Sequence, residues 1–169
     1  PALLRFRRAT GYTLVRLGVS RGSRTGEPSA VMVRPCTNAA RALVADLRRD
    51  LARDLPLQLE LMARDGLPLS PALVEAVQRD LPDPAPVDAL ALTRRFTHGP
   101  VPYDAVAVGV TAFVADSDLG ALPPELRVLV EGRVCERASW QALSARSGLS
   151  VPAVMRALRR ALRQLTEGA

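Results

Sequence analysis

The sequence predicts a mostly α-helical fold, α+β overall, with a β-hairpin and helices first and a helix-turn-helix last. β-Branched runs flank a glycine-containing loop near the N-terminus, and leucines recur at helical spacing further on. Proline and serine helix starts surround a glycine turn near the C-terminus. Of the 169 residues, 48% are hydrophobic, which is enough to bury a core.

The β-hairpin is predicted from two runs, Tyr12–Val19 and Ser29–Val33. The segment between them holds glycines and a proline, which favour a reversal of the chain. Arg21 and Arg24 in this loop have two interpretations, as contacts to phosphates or as a solvated hairpin tip. A nucleotide-binding P-loop is not predicted, because no GK[ST] element and following helix are present.

An amphipathic helix is predicted to begin with Thr37 or Asn38 as its cap. Its apolar face is a stripe of leucines four residues apart, for which core packing and homodimer formation are both open: Leu43, Leu47, Leu51 and Leu55. Pro56 is predicted to end or kink this helix. Ser70 and Pro71 then predict the start of another helix that reaches Asp80.

The chain is predicted to divide into three parts. Residues 1–81 form an N-terminal α+β unit of unknown role, residues 82–120 a proline-rich linker and apolar segment, and residues 121–169 the helix-turn-helix domain. A short helix is expected over Val87–Phe96 within the linker. The apolar run Tyr103–Val114 fits a strand by its alternating valines and a buried helix by its alanines, and periodicity does not decide between them.

The C-terminal segment predicts three or four helices. Pro123 and Pro124 open the first, Ser139 caps the second and Ser150 caps the last. Gly148 supplies the left-handed residue of the turn between the last two, and Leu149 is expected to pack into the core. A helix, a glycine turn and a second helix are the elements of a helix-turn-helix, whose second helix fits the major groove of DNA.

This segment, from Leu122 to Leu165, resembles region four of the extracytoplasmic-function sigma factors of bacteria. LuxR-type output domains share much of the pattern. The residues that carry the resemblance are Leu122, Pro123, Pro124, Arg127, Arg133, Glu136, Ser139, Trp140, Gly148, Ser150, Val151, Val154, Leu158, Arg160, Ala161 and Leu165. Residues 1–121 show no counterpart of the promoter-melting region of these factors, so activity as a complete sigma factor is not expected.

The resemblance implies a recognition helix that begins at Ser150 and binds double-stranded DNA through the major groove and the phosphates. Pro152 would lie near the bases with the residues beside it, and arginines along the helix would hold the backbone. Arg156 alone among the residues nearest the bases has a polar side chain, so limited base reading is expected. The predicted DNA-binding residues are Arg137, Ser139, Ser150, Val151, Ala153, Met155, Arg156, Arg159, Arg160 and Arg163.

The charge distribution agrees with a polyanionic partner. Residues 1–34 carry a net charge of +6, residues 35–121 carry −4 and residues 122–169 carry +4. Basic ends attract nucleic acid because neutralised phosphates release counterions. All 23 basic residues are arginine, which fits a GC-rich coding bias as well as phosphate binding.

Several functional classes are not expected. Cys36, Cys135 and His98 lie far apart and match no metal-ligand spacing, so neither a metal, a cofactor nor a catalytic site is predicted and the protein is not expected to be an enzyme. No apolar run approaches the roughly 20 residues of a membrane span, and the first residues lack the pattern of a signal peptide. A cytoplasmic protein is predicted.

The leading hypothesis is a DNA-binding transcriptional regulator whose output module is sigma-like. The alternative is a protein-interaction module that docks on RNA polymerase or a sigma factor without reading bases, through the apolar start of the last helix. A third hypothesis places a ligand sensor in the N-terminal part. An enzyme is the weakest option, because histidines, cysteines and clustered carboxylates are scarce.

Overall fold

The computed structural model describes residues 2–21 and 28–168. The strands are β1 (Thr13–Arg21) and β2 (Pro28–Val33). The helices are α1 (Ala2–Ala9), α2 (Asn38–Arg64), α3 (Pro71–Gln78), α4 (Ala89–His98), α5 (Ala107–Ala115), α6 (Pro124–Val130), α7 (Trp140–Ser147) and α8 (Val151–Glu167). Short 3-10 turns lie at Tyr103–Ala105 and Leu119–Ala121, and a π-helical turn, Glu131–Cys135, extends α6. The prediction of a mostly α-helical, α+β fold is therefore confirmed.

The predicted hairpin is present. Strands β1 and β2 pair antiparallel, with Thr13 opposite Val33 and Leu17 opposite Ala30. Loop residue Arg24 lies outside the described residues, as does the side chain of Arg21. The predicted contacts of these two arginines therefore stay predictions.

Helix α2 begins as predicted and continues past Pro56. The Thr37 hydroxyl caps it by accepting a hydrogen bond from a first-turn amide at 3.1 Å. The helix continues through Pro56 to Arg64, so of the two alternatives predicted for this proline, that it ends the helix is wrong, and that it kinks the helix stays a prediction. Pro56 is exposed, while Leu55 and Leu61 on either side are each only 1% exposed, and their burial outweighs the cost of the proline. Gly66, at φ +78°, follows the end of the helix.

The buried side chains form two clusters. The smaller joins α1, the hairpin, α2 and α3, and it contains Leu4, Leu14, Leu17, Leu51, Leu55, Met62 and Val77. Of the predicted leucine stripe, Leu51 and Leu55 are buried in this cluster, Leu47 is half-buried and Leu43 is exposed. Core packing thus accounts for the C-terminal half of the stripe.

The larger cluster contains side chains of α4 to α8 and Leu61 of α2. The apolar run that periodicity left undecided forms α5, with Val106 and Val110 at most 1% exposed. Helices α4 and α5 lie in the segment expected to be a linker, and their apolar faces share one core with the C-terminal helices. They approach closely at Gly109, where an added Cβ would lie 2.3 Å from the Cβ of Leu92.

Helices α7 and α8 are joined by a short turn. The Ser139 hydroxyl caps α7, and Gly148 takes the predicted left-handed conformation at φ +70°. Ser150 is the cap residue of α8, but its side chain makes no capping hydrogen bond. Leu149 is 43% exposed, so its predicted place in the core is wrong. The core under α8 is filled instead by Val154, Leu158, Ala161 and Leu162, each 0% exposed.

None of the helices described has both the length and the apolar composition of a membrane span.

Replacing Pro56 with alanine is expected to stabilise the protein by about 1–3 kcal/mol, since an exposed interior proline removes one helical hydrogen bond and crowds the preceding turn. Urea unfolding monitored by circular dichroism measures the change. The control is Pro152→Ala at the start of α8, where the missing N–H costs little; its expected effect is below about 0.5 kcal/mol. Equal effects at both prolines would contradict the explanation.

Candidate nucleic-acid interface

Four of the predicted DNA-binding residues lie on one side of α8. Their spacing places them within roughly 100° of arc around the helix axis. We call this surface the arginine face; it consists of Arg156, Arg159, Arg160 and Arg163. The buried stripe that includes Val154 and Leu158 occupies the other side, so the helix presents its charge away from the core.

Two arginines of the face bind the end of α4. Arg159 donates to the carbonyl oxygens of Gly99 at 2.8 Å and Val101 at 3.3 Å, and its guanidinium lies 4.6 Å from the ring centroid of Phe96. Arg163 donates to the carbonyl oxygen of Thr97 at 2.5 Å. Cations commonly bind the free carbonyls at a helix C-terminus. These two side chains therefore hold α8 against α4.

The other two arginines, Arg156 and Arg160, are exposed, and no described residue forms an ion pair or hydrogen bond with their side chains. The sequence around them has no carboxylate: residues 137–166 and 89–103 contain neither Asp nor Glu. Arg94 on the exposed side of α4 adds another positive charge within the second of these segments. The positive potential of the arginine face is thus not cancelled by neighbouring acids along these segments.

Arg137 and Ser139, two other predicted DNA-binding residues, make contacts inside the protein. Arg137 forms an ion pair with Glu60 of α2, with 2.5 Å between Nη1 and Oε2. The Ser139 hydroxyl accepts from the Ala142 amide at 3.1 Å. Both residues lie just before α7, and not on the arginine face of α8.

The predicted base-reading residues at the start of α8 are mainly apolar. Val151 and Ala153 are half-buried, and Met155 is 39% exposed. Val151 and Met155 line a cleft of about 590 Å³ together with Arg156. Ser150, at the cap position, is exposed.

The structure also contains a buried arginine that the sequence did not identify as a structural centre. Arg133, in the π-helical turn after α6, is 0% exposed. It donates to Asp65 Oδ2 at 2.9 Å, to Asp104 Oδ1 at 2.8 Å and to the carbonyl oxygen of Ala138 at 2.8 Å. Asp65 ends α2 and Asp104 precedes α5, so one guanidinium joins three distant parts of the chain. We call the side chains of Arg133, Asp65 and Asp104 the Arg133 cluster.

Aromatic rings enclose the guanidinium of Arg133. It lies 4.1 Å from the ring centroid of Trp140 and 5.1 Å from that of Tyr103. The Trp140 amide also donates to Asp65 Oδ1 at 2.9 Å. Burial raises the pKa of the Asp104 carboxyl above its usual range, while the charge of Arg133 acts in the opposite direction. Arg133 Nε is buried without a hydrogen-bond partner among the described residues.

The sequence carried no signal for this cluster, because its ion pairs join residues 68 and 29 positions apart. Arg133 belongs to the motif that resembles sigma region four, but the motif gives no acidic partner. Helical spacing rules reach only residues three or four apart.

Groups with chemical reactivity are sparse in the described ranges. No cluster of three or more His, Cys, Asp or Glu side chains there is arranged to hold a metal ion. Cys36 and Cys135 are free and exposed. Partial burial and the nearby charges of Glu131 and Glu136 raise the pKa of the Cys135 thiol, which disfavours the nucleophilic thiolate.

The sequence was compared with protein families and with curated proteins. No family model matches the sequence. The tRNA(Met) cytidine acetyltransferase TmcA of Nitrosococcus halophilus is 32% identical in an alignment 180 positions long, which covers 96% of this chain. The chain spans only 23% of the length of that relative.

Replacing Arg133 with methionine is expected to destabilise the protein by about 3–5 kcal/mol, because Asp65 and Asp104 would then be buried without their countercharge. Adding Asp104→Asn to this variant should recover part of the loss. The control is Arg146→Met, which removes an ion pair to Glu136 whose side chains are 56% and 55% exposed; the expected cost is below about 1 kcal/mol. Urea unfolding of the three variants measures these differences. Similar losses for Arg133→Met and Arg146→Met would contradict the assigned role.

Proposed function

We propose that this chain binds transfer RNA through the arginine face and holds it for an acetyltransferase similar to TmcA. The observation that carries the proposal is the pair of exposed, unpaired arginines, Arg156 and Arg160, in a segment without carboxylates. The similarity to a tRNA(Met) cytidine acetyltransferase along 96% of the chain indicates which nucleic acid to test first.

Electrostatics supports a phosphate-binding role for these residues. Each guanidinium that neutralises a phosphate releases a counterion, and this release dominates the affinity of sequence-independent binding. Arg156 and Arg160 are one helical turn apart, about 6 Å, which is close to the phosphate spacing along a nucleic-acid strand. Because Arg159 and Arg163 anchor α8 to α4, the free pair is carried on a fixed support.

The apolar start of α8 favours binding by shape and backbone rather than by base edges. Reading bases in a major groove requires polar side chains at this end of the helix, where Val151, Ala153 and Met155 lie. The major groove of A-form RNA is too deep and narrow for such reading, so helical RNA is recognised largely through its phosphates and shape. The composition of α8 suits that mode.

We assign no step of acetyl transfer to this chain. Two of its buried carboxylates, Asp54 and Asp104, are in ion pairs with Arg53 and Arg133. Both carboxylates are thereby engaged with arginines inside the protein. In this proposal the chemistry belongs to other parts of an enzyme of the TmcA kind, and the present chain supplies binding.

A second candidate is the DNA-binding regulator that the sequence analysis predicts. It is favoured by the left-handed Gly148 between α7 and α8, which is typical of a helix-turn-helix. Docking on RNA polymerase or a sigma factor remains the alternative use of the apolar residues at the start of α8.

The double variant Arg156→Ala/Arg160→Ala is expected to bind tRNA at least about tenfold more weakly than the unmodified chain at moderate salt. The slope of log affinity against log salt should fall by about 1.5, because two phosphate contacts are lost. Fluorescence anisotropy with labelled tRNA at several salt concentrations measures both quantities.

The matched control is Arg41→Ala/Arg49→Ala, which removes two exposed charges from α2. It should change neither affinity nor slope substantially. Equal binding by the Arg156/Arg160 variant and the unmodified chain would rule out the arginine face. A duplex DNA with the same number of phosphates distinguishes the candidates: sequence-dependent binding tighter than that of tRNA would support the regulator instead.

A further inference from the structure

We infer that the cleft beside the start of α8 binds an unstacked nucleobase of the RNA. We call it the base cleft; it has a volume of about 590 Å³, and its lining includes Phe96, Tyr103, Trp140, Gln141, Met155 and Arg156. This inference rests on the proposed function and adds a contact that the arginine face alone does not provide. Pockets for small molecules typically measure about 300–1,000 Å³, so a base has ample space.

The inner wall of the base cleft includes three aromatic rings, which are 3–5% exposed. Phe96 and Tyr103 pack edge to face with centroids 5.8 Å apart, and Tyr103 and Trp140 do the same at 5.8 Å. Arg133 lies against the last two rings, so their positions depend on the Arg133 cluster. A preformed apolar wall binds a flat ring with little loss of side-chain entropy.

The charge around the base cleft fits a nucleotide. Arg156 and Arg159, two members of the arginine face, lie in its lining, and this face would hold the phosphates on either side of the base. The carboxylates that also line it, Asp65 and Asp104, are paired with Arg133. Arg133 offsets one of these two negative charges, and Arg156 and Arg159 in the lining outweigh the other, so these five groups together carry a net charge of +1.

The polar groups available to the base are few. Gln141 is exposed at the edge of the cleft, and its amide has both donors and an acceptor for the edge of a base. The other walls include Pro102, Pro152 and Met155, which have no hydrogen-bond donor. Proteins recognise single-stranded RNA in this way, with bases splayed onto apolar or arginine planes. The cleft therefore selects for an unstacked base more than for its identity.

The test compares a single-stranded oligoribonucleotide with the same strand containing one abasic ribose in its centre. Binding to the full chain is measured by fluorescence anisotropy, and a central 2-aminopurine reports whether its base leaves the stack. We expect the abasic strand to bind about 5- to 100-fold more weakly. Equal affinities for the intact and the abasic strand, with no change in 2-aminopurine emission, would overturn the proposal of a base cleft.

Two cleft variants, each with a control, test whether the preference for the intact strand arises in the base cleft. Gln141→Trp fills the cleft and should abolish the preference for the intact strand, whereas Ala145→Trp, on an exposed site of α7 outside the lining, should keep it. Met155→Glu places a carboxylate in the cleft and should act like Gln141→Trp. Its charge-matched control is Gln78→Glu, at an exposed position at the end of α3. Thermal melting confirms that each variant is folded.

The outcomes separate this inference from the proposed function. If RNA binds and depends on Arg156 and Arg160, but neither Gln141→Trp nor Met155→Glu removes the preference for the intact strand, the base cleft is overturned and RNA binding stands. If the unmodified chain binds neither strand nor tRNA, both proposals fall. Loss of the preference in the cleft variants alone supports the base cleft.

Discussion

The arrangement of the C-terminal half depends on the contacts of one buried group, the guanidinium of Arg133. It binds the carboxylate that ends α2 and the one that precedes α5, and it lies between the rings of Tyr103 and Trp140. An arginine that is 0% exposed is tolerated only where acceptors and countercharges surround it. The helices that carry those partners are therefore held in one arrangement, and this arrangement also forms the wall of the base cleft.

Arginine serves two purposes on α8. Arg159 and Arg163 donate to carbonyl oxygens at the end of α4, whereas Arg156 and Arg160 extend into solvent. A long apolar stem and a forked donor group suit both uses, since a guanidinium can bind peptide carbonyls or phosphates. Composition alone cannot distinguish the anchoring arginines from the free ones, because the two kinds alternate along one helix face.

Local patterns predicted most of the fold, whereas contacts between distant residues escaped prediction. The cap at Thr37, the left-handed Gly148 and the apolar stripe of α8 follow from rules that act within a few residues. Pro56 lies inside α2 because the packing of its neighbours outweighs the helix-breaking tendency of proline. Leu149 is exposed, although the pattern suggested burial. In the candidate interface, spacing identified the arginine face, but it could not tell which of its arginines are engaged. The Arg133 cluster and the base cleft arise only when residues 65, 104 and 133 meet.

The contacts between the C-terminal helices and the chain before residue 121 limit how this architecture can be reused. The C-terminal helices share their core with α4 and α5, and Arg133 finds both countercharges upstream of residue 121. A graft of residues 121–169 into another protein would carry an unneutralised guanidinium and a bare apolar surface. A transplanted piece that keeps these contacts would have to begin near the end of α2.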